Sequence, residues 1–277
     1  MGFFTEIGAL EEIEQFEIEK VGIVDINNRE IPGVFSLQRT DTREHLGMVK
    51  KNYRAIQMTE MLDIIDTAST AVGNILHTGW ASNRAGSRIV IRSKLDEVID
   101  VEGDKIEPHF YSVIDNSGRG SNKSLPSTQR IVCDNALHLI DVHENKNMYS
   151  ANHFSTFDEK VFLLIDNIKA NVVTTKNFSK TVEKLKRQKF TFNQMVDLAQ
   201  MLIPLEDDET QNRVKKRDRL IGLFSGGMGN VAESKWDALN AVTEFETHSG
   251  KPSTEKFLRS FGKNTLSHRA HAHLAEL

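Results

Sequence analysis

The polar and apolar positions change period about halfway along the chain. Up to residue 155 they form short extended runs. "KVGIVDI" and "GVFSLQRT" alternate, "LGMVKKNYRAIQM" reads as strand, turn and extended segment, and "IEPHFYSVIDN" as another extended run. Within this half, "TEMLDIIDTAST" places Met61, Ile64 and Ile65 at helical spacing, with Thr59 as its N-cap. "GNILHTGWAS" and "SRIVIRSKL", joined by "NRAG", predict a β-hairpin. "SGRGSNKSLPS" predicts a flexible loop, and "TQRIVCDNALHLI" a buried strand passing into a short helix. From residue 156 the period is 3.6, predicting helices over 156–189, 191–203, 209–224, 231–248, 253–261 and 264 to the end.

Strands first and helices last is an α+β order. The expected fold is an antiparallel sheet with hairpins in residues 1–155 and a helical half in 156–277, packed as one unit. With 277 residues, 39% of them hydrophobic and only 5 prolines, the chain has enough apolar material for a core. A net charge of -4 argues against a uniformly basic nucleic-acid binder and leaves room for a local basic groove. One cysteine, Cys133, gives no disulfide framework and suits a reducing cytoplasm. No run approaches the ~18 apolar residues of a membrane span, and the N-terminal stretch lacks a signal-peptide pattern. The expectation is a cytoplasmic protein without a membrane partner.

Catalytic chemistry is sparse. "FSGGMGN", Phe224 to Asn230, precedes a helix but lacks the Lys-Ser/Thr of a phosphate-binding loop and follows a helix, so it reads as a helix–helix turn. Cys133, His138, His143 and His153 lack the paired spacing of structural zinc, as do His268, His271 and His273. No nucleophile elbow is present. The expectation is a non-enzyme with no metal and no cofactor.

Cations are the stronger signal. In "SRIVIRSKL" the period of two puts Ile89 and Ile91 on one face, and Arg88, Arg92 and Lys94 on the other. Arg84 sits near the turn, and Trp80 on the partner strand offers a stacking surface. "VKKNYR" adds Lys50, Lys51, Tyr53 and Arg54, and "SGRGSNKS" adds Arg119 and Lys123. All three patches fall in the sheet-rich half. They read either as a phosphate-gripping surface with bases stacked on Trp80 or Tyr53, or as a solvated outer face.

Four segments in this order, "KNYRAIQM", the hairpin, "PSTQRIVCDNAL" and "SKWDALNAVTEFETH", resemble the phage- and plasmid-encoded family called domain of unknown function 932. The resemblance runs from Thr40 to His248 and is most specific over Trp236 to His248. The loop "SGRGSNKS" and the acidic N-terminal segment depart from the family's pattern. A phage or plasmid setting implies work in replication, recombination or host takeover. In outline, a sheet with a basic hairpin followed by helices is also similar to single-strand annealing proteins of the Rad52 and RecT type. The expected function is binding of single-stranded DNA, or RNA, with strand annealing, by a homo-oligomer. Arg130 and Asn135 would support the groove from behind, and Trp236 would be a structural anchor. The alternative is a protein-interaction module, a host-takeover or virion-associated factor.

Overall fold

The computed structural model describes residues 4–83, 85–130, 135–138, 149–151, 156–205, 211–251, 253–261 and 264–276. The fold is α+β, with antiparallel sheets in the N-terminal half and helices concentrated in the C-terminal half. A three-stranded sheet is formed by β1 (Ile18–Val24), β2 (Glu30–Arg39) and β3 (His45–Lys50), in that order. Helix α1 (Met58–Val72) then leads into a seven-stranded sheet. Its strands are β4 (Ile75–Ser82), β5 (Arg88–Leu95), β6 (Ile99–Val101), β7 (Asp104–Asp115), β8 (Asn122–Arg130), β9 (Asn135–His138) and β10 (Tyr149–Ala151). The order is β10-β8-β7-β5-β4, with β6 also on β7 and β9 also on β8. The helices are α2 (Phe157–Arg187), α3 (Phe192–Leu202), α4 (Gln211–Gly226), α5 (Lys235–Thr247), α6 (Thr254–Arg259) and α7 (Leu266–Glu276).

Helix starts follow local chemistry. Thr156 with Glu159, Thr191 with Gln194, and Ser234 with Asp237 each form a capping box, satisfying amides that the first turn leaves open. Helix α1 differs from the sequence reading. Its N-cap is Gln57, not Thr59, and Gln57 makes no capping bond. Instead its side-chain amide pairs with β1, accepting from Ile18 N at 2.8 Å and donating to Ile18 O at 3.0 Å.

Two other expectations change. "NKSLPS" belongs to β8 and not to a loop. Pro126 pairs opposite Phe110 of β7, in the gap between the residues that pair with β10 (122–124) and those that pair with β9 (127–130). Residues 135–138 are strand, paired to β8, where the sequence predicts a passage into helix. Ladder pairing, invisible to composition, decides both.

Helix α2 joins two apolar cores. Val161, Leu164 and Ile168 pack with α1 and with the Ile89, Ile91 and Ile114 face of the sheet. Farther along, Phe178, Val182 and Leu185 pack with α3, α4, α5 and α7. The β6–β7 turn is gripped by this second core: Trp236 Nε1 donates to Asp104 Oδ2 at 2.7 Å, with both residues buried. Lys186 Nζ adds bonds to the carbonyls of Val101 and Glu102 at 3.0 and 2.9 Å. Trp236→Phe removes the donor from a buried carboxylate, so we expect a loss of about 2 kcal/mol in urea unfolding. A loss indistinguishable from zero contradicts this anchoring role.

Candidate nucleic-acid interface

The hairpin has the expected alternation, yet its second face is not open. Ile89 and Ile91 are fully buried against the α1 side. On the opposite face Val90 is also fully buried, in a cluster with Tyr111, Phe257, Phe261 and Phe4. The cations there are consumed within the chain. Arg88 Nε donates to Asp115 at 3.1 Å, Arg92 to Glu6 at 2.8 Å, and Lys94 to Glu107 at 3.0 Å. Trp80 is half-buried and packs against the Ile89/Ile91 core, and it does not line the cleft beside β3. Arg84 lies outside the described residues.

The other two basic segments meet. Strand β3 packs against the loop that follows β7: a Cβ on Gly47 would overlap the Ser117 carbonyl, and one on Gly118 would overlap Val49 Cγ1. Gly118 also sits at φ +71°, a left-handed conformation that a side chain disfavours. Between them opens a cleft of about 770 Å³, lined by Gly33, Val34, Met48, Val49, Lys50, Lys51, Asn52, Tyr53 and Gly118. Lys50, Lys51 and Arg119 are exposed, Lys123 is half-buried, and none of the four pairs with a described acid. Arg54 is separate, bound to Glu60 on α1 at 3.0 Å. Lys20 Nζ holds the carbonyls of Lys51 and Tyr53 at 2.8 and 2.9 Å, fixing the segment that carries the cations.

Asp115, which the sequence reading passes over, organises the loop. Its carboxylate accepts from Arg88, from Ser117 N at 2.9 Å and from the Ser117 hydroxyl. Gly120 lies against it so closely that a Cβ would overlap Oδ2. Burial first, then the Asp115 charge, raise the Tyr53 phenol well above its ordinary value, and the ring lines the cleft. The available signal was "DNSGRGSN", an acid two residues before a serine in a Gly-rich turn.

A protein-family model described as domain of unknown function (DUF932) matches residues 45–274. The chain belongs to that family. No curated protein and no solved structure matches it. The DUF932 region starts at β3, so it supplies Lys50, Lys51, Tyr53, Gly118 and the hairpin, while the preceding segment supplies Gly33 and Val34. Within the same region Arg130 and Asn135 face each other in the β8–β9 register.

Elsewhere in the DUF932 region the amides of the "SGGMGN" loop and its continuation are already used: Met228 N donates to Glu244, and Val231, Glu233 and Ser234 N donate to Asp237. Among the described residues no three His, Cys, Asp or Glu side chains converge as a metal site; Cys133, His143 and His153 lie outside them. No described helix is long and apolar enough to cross a membrane.

The tight seam between β3 and the loop gives a test. Gly47→Ala forces the two apart, and we expect a loss of about 3 kcal/mol in urea unfolding; an unchanged midpoint contradicts the seam. A pH test comes from the Lys94–Glu107–His109 chain. Burial lowers the His109 imidazole below its ordinary 6.5 despite Glu107. The bond from His109, with Lys94 adding to it, lowers Glu107 from 4.5 to about 2. Both groups bind protons less readily when folded, so their stabilisation is complete above 6.5. It falls below that pH as His109 must charge, then again from 4.5 to about 2 as Glu107 protonates. A urea midpoint flat from pH 6.5 down to 4.5 contradicts the His109 part.

Proposed function

We propose that this protein binds single-stranded nucleic acid, DNA in the first instance, through the cleft between β3 and the 117–120 loop. One observation carries the reading. Two basic segments some seventy residues apart in sequence meet at an open cleft with an apolar floor: Lys50 and Lys51 line it, Arg119 follows the lining Gly118, and none of these three cations has a described acidic partner. Lys50, Lys51 and Arg119 take phosphates, Tyr53 and the Val34/Met48 floor take unstacked bases, and Lys123 continues the track. Such binding needs no nucleotide, metal or catalytic group. It suits strand annealing, or an accessory role in phage or plasmid recombination and replication, with copies arrayed along the strand. The Arg88, Arg92 and Lys94 face is secondary in this reading because intrachain acids already hold it.

A second reading, a protein-interaction module, draws on exposed apolar residues of the three-stranded sheet: Ile26, between β1 and β2, is 100% exposed, with Val24, Ile31 and Met48 also exposed. Fluorescence anisotropy with a labelled oligothymidylate separates the two. We expect the Lys50→Ala/Lys51→Ala variant to bind at least about tenfold more weakly at low salt, with the log K against log salt slope reduced by about 1.4. Wild-type affinity in that variant contradicts the cleft, and no binding by the unaltered protein at low salt favours the interaction module.

A further inference from the structure

Arg92 is held by an acid and an aromatic ring from one short stretch of chain. Glu6 accepts from Arg92 Nη2 with both oxygens, at 2.8 and 2.9 Å, and the guanidinium lies 5.2 Å from the Phe4 ring centre. Between these two residues, Thr5 pairs with Trp80 through two backbone hydrogen bonds of 2.8 and 2.9 Å, so Phe4–Glu6 runs along the edge of β4. Gly79 permits the approach. A Cβ there would stand 3.1 Å from the Thr5 carbonyl oxygen and 3.3 Å from Arg92 Nη2. The Phe4 ring fills an aromatic recess, stacked on Tyr111 at 6.0 Å and edge-on to Phe257 at 5.4 Å. Arg92 is independently oriented by Thr78, donating to its hydroxyl at 2.9 Å and its carbonyl at 3.1 Å.

A planar ring stacked on aromatics, with an anion beside it on an arginine, is the pair of features that a nucleotide offers. We propose that Phe4–Glu6 is an intramolecular stand-in for a nucleotide, and that its release opens a second contact with a base on Tyr111 and Phe257 and a phosphate on Arg92. The inference rests on the nucleic-acid reading of the cleft and adds its regulation. Arg88, bonded to Asp115 at the foot of the 117–120 loop, links the two places along one face. Release is local. Glu6 is mostly exposed and its pair is weakened by solvent, Phe4 is buried and must give up its aromatic recess to an incoming base, and Ile7, Leu10 and Ile13 stay in the core as the hinge's anchor. The segment also lies in the most acidic part of the chain. Residues 1–44 hold ten acids and four cations, leaving 31 basic and 29 acidic residues in the remainder.

The test uses the full chain with Glu6→Gln, an exposed substitution that keeps Phe4, Thr5 and the fold. With a labelled oligothymidylate, we expect Glu6→Gln to bind about threefold to tenfold more tightly than wild type. Adding Arg92→Ala should cancel that gain, and saturating oligonucleotide should speed hydrogen exchange at the Thr5 and Trp80 amides. If Glu6→Gln gains nothing and exchange at Thr5 and Trp80 is unchanged or slower, Phe4–Glu6 is only a structural edge and the proposal falls. Weakened binding by Lys50→Ala/Lys51→Ala in that same series keeps the cleft reading standing without it. A wild-type protein that binds no oligonucleotide at low salt overturns both.

Discussion

The Asp115 carboxylate is the constraint on which the candidate interface depends. It ends β7, ties Arg88 of the hairpin to the following loop, and fixes that loop through the Ser117 amide and hydroxyl. With the loop set, Gly47 and Gly118 let β3 close against it, and the cleft takes its shape from that seam. A buried carboxylate is costly unless its lone pairs are used, and here a guanidinium, an amide and a hydroxyl use them. The cations that face the cleft are thus separated from the acids that shape it.

A second constraint is that both faces of the large sheet are covered. One meets α1 and the first half of α2; the other meets Phe4 and the α6 aromatics. A strand covered on both sides leaves its cations little solvent, and Arg88, Arg92 and Lys94 find acids of their own chain. That is why Arg92 and Lys94 are pinned while Lys50 and Lys51, at the end of a three-stranded sheet, are exposed. The Trp236–Asp104 bond then couples the sheet to the helices, so the two halves share elements and do not merely abut.

The helical half was readable to within about four residues from its 3.6 period, and the capping boxes of Thr156, Thr191 and Ser234, which act over three residues, set three of the starts. The hairpin was readable for the same reason: turn residues and period are local. Ile89 and Ile91 were identified as core, and they are. What period could not tell was what lay over the other face, since Phe4 and Phe257 come from more than eighty residues before and more than a hundred and sixty after Val90. The first part of β8, "NKSLPS", was hidden by its Asn, Ser and Pro content, although its neighbours impose the extended form. Lys50, Lys51 and Tyr53 were legible as a patch, and Arg119 as another. Their meeting depends on two glycines whose need for closeness appears only when β3 meets the loop.

The most direct test of the central claim is to map where a single strand lies. A photoreactive oligonucleotide cross-linked to the protein, with adducts located by mass spectrometry, does this without altering a side chain. The account predicts adducts concentrated on the peptides carrying Tyr53 and Arg119, on the two sides of the cleft. Adducts confined to the helices α3 to α5, with the cleft peptides unmodified, would contradict it.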